Sequence, residues 1–148
     1  MVVKELGHVV LYVRDLERSR RFYRDVLGWR EIGTVAEWAV AFSSGRTHHE
    51  LLLIQTSPDA APIPREPRVG LYHFGLKVGE TDDQLRDVVA QLRAAGVPIV
   101  GMSDHTVTHS VYITDPDGNE IELYIDVQPE VWRDDPEALL APTRALRL

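Results

Sequence analysis

The chain has 148 residues, 44% hydrophobic and 26% charged, with a formal net charge of −7, a balance that fits one folded domain or two small modules sharing a core. The acidic balance, with no basic stripe, argues against a nucleic-acid partner, and no apolar run approaches the length of a membrane-spanning helix. Cysteine is absent, so any metal site must draw on carboxylates and on the six histidines, His8, His48, His49, His73, His105 and His109.

The first ten residues, MVVKELGHVV, lack a long apolar signal region, which by default predicts a cytoplasmic protein. LGHVVLYV (6–13) reads as a strand with His8, Val10 and Tyr12 on one face and Val9, Leu11 and Val13 on the other. Asp15 suits the N-cap of a helix over 18–27 that turns Phe22, Val26 and Leu27 inward, and Gly28 suits its C′ position. Strands are predicted near 29–35 and 38–43, then a turn at Ser44-Gly45-Arg46 and a strand over HHELLLIQ (48–55).

A proline-rich connection follows at 58–69, and the pattern then begins again. GLYHFGLKV (70–78) is a strand with a histidine near its start. A helix from Asp82 or Asp83 to Ala95 directs Leu85, Val88, Val89 and Leu92 inward and ends at Gly96. After a short strand near 98–101 comes a hairpin, 105–126, reversed by Asp115-Pro116-Asp117-Gly118-Asn119. In its return strand, period two places Glu120, Glu122 and Tyr124 opposite Ile121, Leu123 and Ile125.

Each half therefore reads β-α-β-β-β. The predicted class is α+β: two paired βαβββ modules, 1–57 and 70–128, forming a curved, partly closed barrel with helices outside. The tail, 129–148, adds a short helix with an exposed Trp132. His8 and His73 hold matching positions 65 residues apart. With Glu122 they would make two imidazoles and one carboxylate, the facial triad of non-haem Fe(II) oxygenases, which Mn(II) and Zn(II) also accept. The plainer alternative is that both are strand histidines satisfied by hydrogen bonds.

GHVVLYVRDLERSRRFYRDVLGW, GLYHFGLKV and DPDGNEIELY together resemble the vicinal oxygen chelate superfamily, which includes glyoxalase I, extradiol dioxygenases and bleomycin resistance proteins. The resemblance spans about residues 5–128 and implies metal ligands His8, His73 and Glu122. Tyr112, ten residues before Glu122, and His49 in HELLL are similar to the type I extradiol dioxygenases, nearest the catechol 2,3-dioxygenase-like group. By that resemblance His49 is the acid–base, and Tyr112 and His105 hold the substrate. His109 is less apt, since its offset of three from Tyr112 puts it on the opposite face.

The expected reaction is ring cleavage of a small aromatic diol by O2 with Fe(II); Mn(II), Zn(II) or Ni(II) are the other candidate metals. A homodimer is expected from relatives of this size. The chief rival is a glyoxalase I-like lyase or isomerase with Glu50 as a fourth ligand. His49 and Glu50 alternate along the chain, so only one faces the site. A drug-binding protein without chemistry is the third reading.

Overall fold

The computed structural model describes residues 2–64 and 66–148. The chain divides into two units, Met1–Ile63 and Pro64–Leu148, and the division falls within the proline-rich stretch. Both units are α+β. In the described residues no helix is long and apolar enough to cross a membrane.

In the first unit, β1 (Val9–Val13) is followed by α1 (Leu16–Arg21), β2 (Glu31–Val35), β3 (Ala39–Phe42) and β4 (Leu51–Gln55). The sheet order is β1-β4-β3-β2, with β1 and β4 parallel and the rest antiparallel. The predicted faces of the first strand hold: Leu11 and Val13 are buried, while His8, Val10 and Tyr12 are exposed. Asp15 caps α1 by accepting from the Arg18 N–H at 2.9 Å. Past α1 the helix widens over Phe22–Val26, with the Leu27 N–H bonded to the Phe22 carbonyl, and Gly28 leaves it at φ +69°. Of the residues expected to point inward, Phe22 is buried and Val26 and Leu27 are half-buried. Tyr23, fully buried beside Phe42 at 6.0 Å between ring centroids, supplies what they do not.

Several boundaries differ from expectation: β1 begins at Val9 rather than at Leu6, so His8 precedes it, and the strand expected from Gly70 begins at His73. The strand predicted from His48 begins only at Leu51. Residues 43–50 form a loop held by its own bonds: the Ser43 hydroxyl donates to the Thr47 carbonyl, and the Ser44 N–H donates to Glu50 Oε2 at 2.6 Å. His48 and His49 therefore sit on this loop.

In the second unit, β5 (His73–Gly79), α2 (Asp82–Ala94), β6 (Ile99–Asp104), β7 (Thr108–Thr114) and β8 (Glu120–Asp126) repeat the plan. The tail then forms α3 (Pro129–Asp134), a 3-10 turn (Pro136–Leu140) and β9 (Arg144–Ala145). The sheet order is β5-β8-β7-β6-β9, with β5 and β8 parallel. The helix starts at Asp82 as expected, and the Thr81 hydroxyl caps it by accepting from the Gln84 N–H. Leu85, Val89 and Leu92 of the helix and Ile121, Leu123 and Ile125 of β8 make the core, each through its own period.

The hairpin turn is built around the buried Asp115 carboxylate. Its Oδ1 accepts from the N–H groups of Asp117 and Asn119, its Oδ2 accepts from Asn119 Nδ2 at 2.8 Å, and Gly118 takes φ +91°. That fixed reversal sets the register in which Tyr112 pairs with Glu122 and Thr114 with Glu120.

Candidate active site

The open face of β8 carries Glu120, Glu122 and Tyr124, all half-buried, while the opposite residues fill the core. Three strands meet at Glu122: Gly75 of β5 pairs on one side and Tyr112 of β7 on the other. A side chain on Gly75 would come within 3.2 Å of the Tyr124 ring and 3.5 Å of Glu122 Oε2. The missing Cβ is thus the room that both side chains use.

His73 lies between two carboxylates. Its Nε2 is 3.3 Å from Glu122 Oε2 and its Nδ1 is 3.4 Å from Glu120 Oε1. Neither approach is a hydrogen bond, and Nδ1 is buried without a partner. A buried imidazole nitrogen left in this way calls for a reason. Two ligand atoms each about 2.1 Å from one cation, at angles between square and tetrahedral, stand roughly 3.0–3.4 Å apart. The Nε2–Oε2 separation falls in that range, so His73 and Glu122 fit a shared cation, with Glu120 beside the far ring nitrogen in the usual place of a supporting carboxylate.

Tyr112 donates to Glu122 Oε1 at 3.0 Å, and His105 Nε2 stands 2.8 Å from the Tyr112 oxygen. Burial first, then the Glu122 charge and this hydrogen bond, push the Tyr112 phenol well above its ordinary pKa. It stays a neutral donor. His105, Tyr112, Glu122 and His73 line a cavity of about 440 Å³, enough for a single-ring ligand. Val107, Tyr124, Trp132 and Leu139 supply its apolar wall. The last two come from the tail. His109 is elsewhere: its Nδ1 meets Asp82 Oδ1 at 2.6 Å, at the start of α2, on the face its offset from Tyr112 predicts.

In the first unit, His8 is exposed and lies against His49, with ring centroids 4.4 Å apart. His48 Nδ1 is 2.5 Å from His49 Nδ1, so one of the two nitrogens carries the proton and the other accepts. Burial first, then the neighbouring His48 and His8, lower the His49 pKa from its ordinary 6.5. Glu50 turns the other way: its Oε1 accepts from the Ser44 hydroxyl at 2.9 Å and lies 3.4 Å from Arg46 Nε. Among the described residues no group of three or more His, Asp or Glu is assembled to hold a metal.

The two units can be compared by register. Glu122 pairs with the residue two past His73. The residue that pairs two past His8, opposite Val10, is Leu52. Glu50, two residues before Leu52 and just ahead of β4, therefore matches Glu120 rather than the ligand position. The first unit carries a histidine but an aliphatic residue where the second carries its carboxylate.

Comparison with known proteins agrees with this architecture. The chain is 34% identical over 132 residues to the catechol-2,3-dioxygenase of Bacillus subtilis (strain 168), across 89% of this chain and 45% of that one. It is 33% identical over 126 residues to biphenyl-2,3-diol 1,2-dioxygenase 3 of Rhodococcus globerulus, across 84% of this chain and 65% of that one. It therefore spans about half to two thirds of these relatives' length. A crystal structure of lactoylglutathione lyase from Agrobacterium tumefaciens superposes with a TM-score of 0.65 at 29% identity, covering 88% of this chain and 98% of that one. A family model matches residues 5–123, and with both βαβββ units in place the chain belongs to the Glyoxalase/Bleomycin resistance protein/Dioxygenase superfamily.

Proposed function

We propose that this protein is a metal-dependent extradiol dioxygenase that opens a catechol-type ring beside its two hydroxyls, using O2. The observation that carries the reading is the line from His105 through Tyr112 to Glu122, which puts two hydrogen-bonding side chains beside the Glu122 carboxylate on one cavity wall. A vicinal diol offers two adjacent hydroxyls, and this arrangement meets them with a ligand pair on one side and the Tyr112 oxygen on the other.

In this reading His73 and Glu122 would hold the metal, and the sequence leads to His8 as the third ligand. Fe(II) suits two histidines and one carboxylate, and Mn(II), Zn(II) or Ni(II) take the same donors. When bound, the metal lowers the pKa of a coordinated hydroxyl and gives O2 a route to the substrate's electrons. Tyr112 keeps its proton on Glu122 and turns its oxygen to accept from a substrate hydroxyl, while His105 orients the phenol. His49 moves the proton. Its lowered pKa keeps the imidazole neutral near pH 7, ready to accept a proton from a substrate hydroxyl and return it to the ring-opened product, which retains both atoms of O2. Val107, Trp132 and Leu139 exclude water from the ring's apolar edge.

The second reading is a glyoxalase I-like lyase or isomerase, favoured by the full-length match to lactoylglutathione lyase. It needs Glu50 as a ligand. The Glu50 carboxylate is already engaged by Ser44 and Arg46, and Leu52 stands at the register position of Glu122, so the dioxygenase reading is preferred. The test is metal content after anaerobic purification, followed by oxygen uptake with catechol. Iron near one per chain with uptake and a ring-opened product supports the proposal. Nickel or zinc without uptake overturns it in favour of the lyase.

A further inference from the structure

Thr143 belongs to no motif, yet the fold delivers it to the site. β9 adds to the edge of β6, pairing Ala145 with Ser103 and Arg144 with Asp104. This brings the Thr143 hydroxyl to 3.1 Å from His105 Nδ1. The backbone around His105 is pinned: its N–H donates to the Thr108 carbonyl, its carbonyl accepts from Val107, and Thr106 sits at φ +73°. The ring stays in place, and what is left to decide is which nitrogen carries the proton.

Proton accounting decides it. The Tyr112 hydroxyl has a single proton and donates it to Glu122 Oε1 at 3.0 Å. The Tyr112 oxygen then offers lone pairs to His105, whose Nε2 at 2.8 Å must be the N–H. A neutral imidazole has one N–H, so Nδ1 is bare and accepts from the Thr143 hydroxyl. Every bond in the line points the same way, from the tail to the carboxylate.

We propose that Thr143 is a positioning residue: its hydroxyl holds His105 in the Nε2–H tautomer and thereby keeps the Tyr112 proton on Glu122. The opposite tautomer would turn Nε2 into an acceptor that competes for that proton and breaks the charge-assisted bond. Trp132, Pro136 and Leu139 of the same tail line the cavity with His105, so the segment that walls the pocket also sets its histidine. The catalytic consequence rests on the dioxygenase reading. The tautomer does not.

The test uses the full chain, metal-free and labelled with 15N-histidine, at a pH where its imidazoles are neutral. Long-range proton–nitrogen correlation reads each tautomer, and a His105→Gln spectrum assigns the signal. Wild type should show His105 protonated on Nε2 alone, Thr143→Val should show both tautomers, and Thr143→Ser should restore one. Thr143 is exposed, so these changes leave the core intact. In iron-loaded protein with catechol, Thr143→Val should lower kcat by about tenfold with KM nearly unchanged, and Thr143→Ser should recover it. A wild-type proton on Nδ1, or an unchanged single tautomer in Thr143→Val, overturns the proposal. If wild type takes up no oxygen while the tautomers behave as stated, the dioxygenase reading falls and the positioning role stands.

Discussion

Tyr112 and Glu122 face each other directly across β7 and β8, and the phenol donates to the carboxylate at 3.0 Å. Phenylalanine at 112 keeps the ring and its packing but removes the donor. A hydrogen bond to a charged group contributes about 1.5–3 kcal/mol, so Tyr112→Phe should lower kcat/KM for catechol by roughly 10- to 100-fold. Metal content should stay near wild type, since His73 and Glu122 are untouched. Steady-state kinetics beside elemental analysis checks both halves, and loss of metal along with activity would show that Tyr112 mainly holds its neighbour in place.

Gly75 tests the shape of the same site without touching a polar group. Its Cβ would press on the Tyr124 ring at 3.2 Å, which lies beside Glu122 on the same face of β8, in backbone that any residue can adopt. Gly75→Ala should therefore fold, with a melting temperature within a few degrees of wild type, and bind metal about ten-fold more weakly, the scale at which a group supporting a ligand matters. Titration of the metal-free variant with Fe(II) or Zn(II) measures this.

The alternation of His49 and Glu50 separates the two reactions. Glu50→Gln should leave metal content unchanged, because the carboxylate serves Ser44 and Arg46, and should cost stability through the loop it ties. His49→Phe should also keep the metal but cut oxygen uptake by on the order of 10²-fold, the effect of losing an acid–base group. If Glu50→Gln loses its metal, the lyase assignment replaces the dioxygenase.

Glu31 provides a pH dependence away from the site. The paired hydrogen bonds from Arg20, both at 2.8 Å, and the Arg20 and Arg24 charges hold its carboxyl below the ordinary 4.5. A depressed folded-state value stabilises fully above about pH 4.5 and is lost as pH falls through the folded value. Glu31→Gln should thus cost up to about 1 kcal/mol at pH 7 and less at pH 3. Urea unfolding of both proteins at the two pH values reads the difference.

Much of the fold was legible because it rests on local periods. The alternation of β8 fixes which side chains enter the core, and the Asp115-to-Asn119 turn fixes where the strand reverses. The paired histidines were visible as a repeat. The β4 boundary was not, because HHELLLIQ reads as one β-rich run, and its first residues are diverted by bonds from Ser43 and Ser44 that no period announces.

By itself, then, the sequence determined the α+β class, the βαβββ plan of each unit, the faces of the strands, and the residue types on which a metal and a diol would depend. Only the tertiary structure decided that His73 Nε2 stands 3.3 Å from Glu122 Oε2, that Leu52 holds the first unit's matching position, and that Thr143 reaches His105 from 38 residues away. The physical reason is that side-chain periodicity is set within a few residues. Strand register and the path of a tail are set by which distant backbone groups find partners, and that choice is made only when the whole unit folds.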